Sequence, residues 1–240
     1  MSPLLKIIYP PYKWLIAIPF LFLNTLVMGI ICIFVGFFSG QDAADILAVK
    51  WSRLCAMVVP FRVNIQGKKN YSRLNSYVVV ANHQSMADIP AIHGFLGLKI
   101  KWVMKQELKN VPIFGMACKQ LGCIYVDRSN RNAAIRSIEA ARKKMSKTAC
   151  ALFFAEGTRS RTGELMPFKK GAFVFAMETG LPILPVTLRN SMDILPSGTL
   201  NLTPGTLDIV VHPPIHTSPQ HTTNITDLME QTWQAIVSAL

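Results

Sequence analysis

His83 and Asp88, five positions apart in the stretch Asn82-His-Gln-Ser-Met-Ala-Asp88, are the residue types of a general base and its orienting partner. An aspartate that accepts one ring N–H of a histidine fixes the tautomer and steadies the imidazolium. The other ring nitrogen is then left to take a proton from an alcohol. The spacing constrains where the two residues lie. On one straight helix, side chains five apart diverge by about 140°. The pair therefore meets only if His83 sits in a strand-to-helix turn and Asp88 in the first turns of the helix. The chain has no GxSxG elbow, and no cysteine lies close in sequence to act as a nucleophile. This suits direct attack of a substrate alcohol on an acyl thioester, with no covalent acyl-enzyme. Taken alone, a histidine and an aspartate at this spacing more often serve a helix start than a reaction.

A second constellation reads Glu156-Gly-Thr-Arg159. Gly157 permits a backbone turn whose N–H groups face an anion, Thr158 adds a hydroxyl, and Arg159 offers a planar fork that matches phosphate oxygens. Glu156 fits beside an anion if it pairs with Arg159 and orients it, or if it accepts a hydrogen bond from a glycerol hydroxyl. Alone this tetrapeptide reads equally as a surface turn. The two constellations are complementary, since one deprotonates an alcohol and the other holds a phosphate near it.

The elements around these residues supply the positioning. Buried-strand runs occur at 77–80, 100–104, 123–126, 149–154 and 183–188, with a further strand at 206–211. Helical patterns at 89–96, 129–147, 171–179 and from about 224 alternate with them. The alternation predicts an α/β fold: a single layered domain over 61–240, with a largely parallel sheet flanked by helices. In such sheets functional residues collect beyond the carboxyl ends of strands, and both constellations directly follow a strand.

Residues 1–60 read differently. The 25 residues of 14–38 carry no charge and as a helix would extend roughly 35 Å or slightly more, enough to cross a hydrocarbon core. Pro19, Asn24 and Thr25 keep a bent or re-entrant anchor open, and a cleaved signal peptide fits less well. Over 43–59, Ala43, Leu47, Trp51, Leu54 and Val58 form an apolar stripe with Lys50 and Arg53 among them. It reads equally as an interfacial helix or as a helix covering the core. If the anchor spans, Lys50, Arg53, Arg62, Lys68 and Lys69 put the remainder on the cytoplasmic side of the membrane.

The formal charge of +12 over 240 residues suits an anionic bilayer or phosphorylated substrates. No Walker loop, dinucleotide fingerprint or zinc-finger spacing supports a nucleic-acid partner. The five cysteines form no CxxC pair and read as thiols in a reducing compartment. His212, His216 and His221 lie in a Pro-rich segment without a completing carboxylate or thiol, so a solvated loop is the expectation there and no metal site is assigned.

These blocks, in their order after about Tyr77, resemble the glycerolipid acyltransferase family, specifically the 1-acyl-sn-glycerol-3-phosphate acyltransferases. NHQSMAD matches that family's NHxxxxD block. Lys105-Gln-Glu-Leu108, Val111-Pro-Ile-Phe-Gly115, Gly122 and Asp127-Arg128 match its second, FFAEGTRS with Phe168-Lys-Lys-Gly171 its third, and Leu181-Pro-Ile-Leu-Pro-Val186 its fourth. The resemblance implies His83 as general base, Asp88 as its partner, and Glu156, Gly157, Thr158 and Arg159 as the acceptor-phosphate site, with Lys105 and Arg128 as further phosphate contacts. It implies transfer of a fatty acyl group from acyl-CoA or acyl-carrier protein to the sn-2 hydroxyl of lysophosphatidic acid, giving phosphatidic acid, with no metal or other cofactor. Partners so implied are the two substrates, the lipid bilayer and, for one donor, acyl-carrier protein. Ala155 stands where that family usually has proline. Glycerol-3-phosphate, another lysophospholipid or a lyso-ornithine lipid are alternative acceptors, and a non-catalytic protein of anionic membranes is the alternative of another class.

Overall fold

The computed structural model describes residues 3–127, 148–217 and 224–240. Arg128, His221 and the helix expected at 129–147 lie outside the described residues.

Unbroken apolar runs form the centre of the sheet. Strands β2 (Val78–Ala81), β5 (Ala149–Phe154) and β6 (Ile183–Arg189) are buried almost throughout, as parallel strands are when helices cover both faces. With β1 (Phe61–Gln66), β3 (Lys99–Lys105), β4 (Ile124–Val126) and β7 (Gly205–Val211) they make a seven-stranded sheet of order β1-β7-β6-β2-β5-β3-β4. All neighbours are parallel except β6 and β7. The α/β class expected from the alternation is the one observed. No long apolar run announces β1, which sits at the sheet's edge and alternates buried with more exposed residues.

Successive residues of a strand face opposite sides, and this divides the core. Val79, Ala81, Leu152 and Leu184 face one cluster with α3 (Gln41–Val58) and α4 (Asp88–Phe95). Val78, Val80, Ala151 and Phe153 face another with α6 (Gly171–Thr179) and α8 (Ile225–Val237). Asn224 caps α8, its side-chain oxygen accepting from the Thr226 amide at 2.9 Å.

The N-terminal segment is helical through α1 (Pro3–Tyr12), a π turn at Lys13–Ala17 and α2 (Ile18–Ser39). The π turn ends two residues before Pro19, whose missing amide cannot serve the carbonyl of Leu15 within that turn. Gly40 then reverses the chain into α3 at φ 83°. The polar pair near the middle of α2 is used against α3. Asn24 Nδ2 donates to the Trp51 carbonyl at 3.4 Å, and Trp51 Nε1 donates to Thr25 Oγ1 at 3.0 Å. The opposite side of the segment exposes Phe22, Leu23, Phe34, Phe37 and Phe38.

The buried stripe of α3 is not the one its large residues suggest. Ala44, Ala48, Ser52 and Cys55 are buried, whereas of the expected stripe Val58 is buried and Ala43, Leu47, Trp51 and Leu54 are half-buried. The reason is close packing between helices: a Cβ on Gly94 of α4 would stand 2.9 Å from Ser52 Cβ, so small residues occupy the contact line. Lys101 of β3 and Asp45 of α3 form an ion pair of 2.7 Å, with side chains 5% and 13% exposed. Arg53 Nε donates to the Gly94 carbonyl at 3.0 Å. The helical hairpin is thus joined to the sheet by polar as well as apolar contacts. α7 (Ser191–Ile194) and α5 (Phe114–Gln120) complete the helices named here; Ala117 of α5 packs with Cys32 and Ala44 against the hairpin.

Candidate active site

Strands β2 and β5 are parallel neighbours with Ala81 opposite Phe154. Two residues further along each, His83 and Glu156 therefore leave the same edge side by side. The helical-phase expectation for the dyad matches the geometry: His83 lies in the turn after β2, and Asp88 is the first residue of α4. Their side chains meet, with His83 Nδ1 at 2.8 Å from Asp88 Oδ2. A ring nitrogen so close to a carboxylate oxygen carries the proton, which leaves Nε2 as the basic nitrogen. The same Asp88 oxygen accepts the amides of Gln84 and Ser85 at 2.9 Å each, so Asp88 shapes the loop as well as orienting the ring. The His83 side chain is 11% exposed, enough for one edge of the ring to be reached.

Glu156 does not pair with Arg159. One carboxylate oxygen accepts the His83 amide at 2.6 Å and the other accepts the Met166 amide at 2.9 Å. No ion pair between Glu156 and Arg159 forms among the described residues. The glutamate is buried, and burial is the main influence that pushes its pKa up. The Met166 and His83 amides oppose that shift, and the Asp88 charge adds to it. The physical reason for the departure is the register, which brings the backbone of the first constellation within reach of Glu156. Two more bonds staple the same loops: Ser160 N donates to the His83 carbonyl at 2.8 Å, and Gln84 Nε2 donates to the Gly163 carbonyl at 2.7 Å.

Gly157 takes the left-handed conformation at φ 75°, as the turn expected of it requires. Thr158 follows exposed and Arg159 half-buried. Ala155 donates its amide to the Ala81 carbonyl at 3.3 Å, a bond between the two strands that a proline there would remove. Lys105 lies exposed at the carboxyl end of β3, at the same edge and beyond β5. Among the described residues it forms no hydrogen bond or ion pair with His83 or Asp88. Arg128 lies outside the described residues.

Sequence reasoning did not assign a role to two residues at this edge. The far end of the Lys169 side chain lies across Gly157, where an added Cβ would stand 2.9 Å from Cδ and 3.1 Å from Nζ. This puts a further cation on the turn. Phe154 stacks on the imidazole of His83. Both residues belong to the third block, which is the one signal the sequence carries for them; Phe154 otherwise reads as a strand residue among apolar neighbours. Elsewhere, His212 is not simply solvated: its Nε2 lies 2.9 Å from Thr187 Oγ1, and burial lowers its pKa.

This arrangement can take a proton from an alcohol at Nε2 and hold an anion beside it. The family model for acyltransferases matches residues 62–189. The chain is 34% identical over 175 residues to a chloroplastic 1-acyl-sn-glycerol-3-phosphate acyltransferase of Brassica napus, covering 72% of this chain and 50% of that protein. It is 33% identical over 190 residues to an uncharacterized acyltransferase of Schizosaccharomyces pombe, covering 78% and 68%. Among solved structures it resembles the 1-acyl-sn-glycerophosphate (LPA) acyltransferase PlsC from Thermotoga maritima, with a TM-score of 0.77, 25% identity, and coverage of 95% of this chain and 94% of that one. The chain spans about half the length of the two plant relatives it matches, 50% and 48%.

Proposed function

The chain belongs to the acyltransferase family, and on that premise we propose that it transfers a fatty acyl group from an acyl thioester to the sn-2 hydroxyl of 1-acyl-sn-glycerol-3-phosphate, giving phosphatidic acid. The observation that carries this reading is the 2.8 Å contact of His83 Nδ1 with Asp88 Oδ2, set beside the cation-bearing turn after β5. His83 Nε2 takes the hydroxyl proton as the oxygen attacks the thioester carbonyl. The tetrahedral adduct then collapses with loss of the thiolate, and the imidazolium returns its proton to sulfur. The hydroxyl proton thus ends on the thiol, the new C–O bond replaces the C–S bond, and no acyl-enzyme, metal or other cofactor enters. Acyl-CoA and acyl-carrier protein both supply the required thioester.

Arg159, Thr158 and the Gly157 turn are assigned to the acceptor phosphate, with Lys105 as an outer contact and Arg128 carried over from the family resemblance. A lyso-ornithine lipid has no phosphate for this clamp to hold, which favours the phosphate-bearing acceptor. The test is steady-state kinetics of the purified full chain in detergent, with lysophosphatidic acid, glycerol-3-phosphate and a lyso-ornithine lipid as acceptors, and acyl-CoA and acyl-carrier-protein donors. Arg159→Ala should raise the acceptor KM roughly 10- to 100-fold, the cost of a charged hydrogen bond, and leave the donor KM unchanged. A change in donor use alone would make the clamp assignment wrong.

Residues 1–60 are proposed as the membrane-seated part and 61–240 as the catalytic part, on the cytoplasmic side. The helix over Ile7–Ser39 is long and apolar enough to cross a membrane. Its docking along α3, with an apolar outer face, equally supports lying within one leaflet. The cluster Lys50, Arg53, Arg62, Lys68 and Lys69 favours the cytoplasmic side. Purified protein should float with vesicles containing anionic lipid, and lysines at Phe22, Phe34 and Phe37 should leave it at the bottom of the gradient. Undiminished flotation of that variant would remove this face from the lipid contact.

A further inference from the structure

Phe154 and His83 are stacked in an unusual way. Their ring centroids are 3.6 Å apart and their planes differ by 5°, so the rings lie almost concentrically. Two neutral aromatic rings avoid this arrangement, because their negative faces repel; they prefer offset or edge-to-face contacts with centroids about 4.5–7 Å apart. A cation above the face of a ring is attracted by the same quadrupole. Concentric stacking is therefore poor for a neutral imidazole and good for an imidazolium.

The stack has a further aromatic neighbour. Trp102 packs against Phe154 with ring centroids 5.7 Å apart and planes tilted by 37°, and its Nε1 donates to His93 Nδ1 at 3.1 Å. His93 can accept that bond at neutral pH, because burial, then the Lys101 charge, push its pKa down to about 4. His93 belongs to α4, the helix that begins with Asp88. The base is thus held at its edge by Asp88 of α4 and covered on a face by Phe154 of β5.

We propose that Phe154 is a positioning residue that stabilises the imidazolium formed when His83 takes the acceptor proton. The inference rests on the reading of His83 as general base. Its contribution appears in the transition state, where positive charge develops on the ring, and not in the binding of either substrate. It therefore acts on kcat and leaves KM alone.

The test must separate the electrostatics of the ring from its shape. Phe154 is replaced in the full-length chain by mono-, di- and trifluorophenylalanine, which weaken the quadrupole stepwise with little change in size. Each protein is assayed with lysophosphatidic acid and an acyl-CoA. Stepwise decline in kcat, totalling about tenfold across the series, with acceptor KM and melting temperature unchanged, is the expected result. Phe154→Trp should retain activity better than Phe154→Leu, which keeps bulk but has no π face. A flat fluorination series, even with a slow Phe154→Leu, would reduce Phe154 to packing and overturn the proposal. His83→Ala, assayed alongside, separates the two failures. If it is inactive while the series is flat, the inference alone falls; if it retains full activity, the reading of the base falls and the inference with it.

Discussion

Replacing His83 with alanine is expected to lower kcat by roughly 10²- to 10⁴-fold, the range for losing a general base, with both KM values nearly unchanged. With Nδ1 occupied by Asp88 at 2.8 Å and the ring covered on one face by Phe154, Nε2 is the position at which this side chain can do chemistry. No serine elbow stands behind it as a nucleophile, so nothing in the proposed reaction bypasses the step. Asp88→Asn should slow the enzyme less directly: the amide still accepts through oxygen, but it no longer balances the imidazolium charge. Steady-state rates of both variants, with thermal melts to show that each is folded, check the expectation. A His83→Ala protein that keeps more than a tenth of the wild-type kcat would remove His83 as the general base, whereas a wild-type chain without acyl transfer would leave the membrane-binding role.

The second large effect concerns Glu156. If it bound the acceptor, Glu156→Gln would raise the acceptor KM and leave stability alone. The structure leads to the opposite expectation. Both carboxylate oxygens accept buried backbone amides, from His83 and from Met166, and a glutamine would turn an NH₂ group toward one of those N–H donors. A buried donor left unpaired costs about 1–3 kcal/mol, and in a chain of this size that lowers the melting temperature by roughly 2–12 °C. Because the same carboxylate joins the His83 backbone to that of Met166, releasing either amide loosens the loop that carries the base, and kcat should fall about 100-fold while the acceptor KM stays within a few-fold. Calorimetry and kinetics on the same preparation decide the matter. A variant with normal melting and a raised acceptor KM would restore Glu156 to the substrate.

Features that depend on residues close together along the chain are legible in the sequence. The five-residue spacing from His83 to Asp88 demands a turn followed by a helix start, because a continuous helix would turn the side chains apart. Gly157 marks a left-handed turn because L side chains rarely adopt that conformation. Unbroken apolar runs at β2, β5 and β6 imply a sheet covered on both faces. Each of these follows from local backbone geometry or from burial of contiguous residues, and both are written in adjacent letters.

Register and close approach are properties of the folded chain. His83 and Glu156 are 73 residues apart, and their contact exists because Ala81 lies opposite Phe154 in the sheet; no local pattern encodes that pairing. The same register lets Glu156 hold the backbone of the base instead of Arg159, and brings Phe154 to lie under the imidazole. In α3 the large residues suggest one stripe, yet the helices meet along Ala44, Ala48, Ser52 and Cys55, since the distance between neighbouring helices selects which side chains fit. Local pattern thus marks a candidate base, its partner and a left-handed turn after a strand, and the order of the blocks along the chain adds the family resemblance. What holds them is fixed by the assembled sheet, because the supporting groups come from strands adjacent in space and distant along the chain.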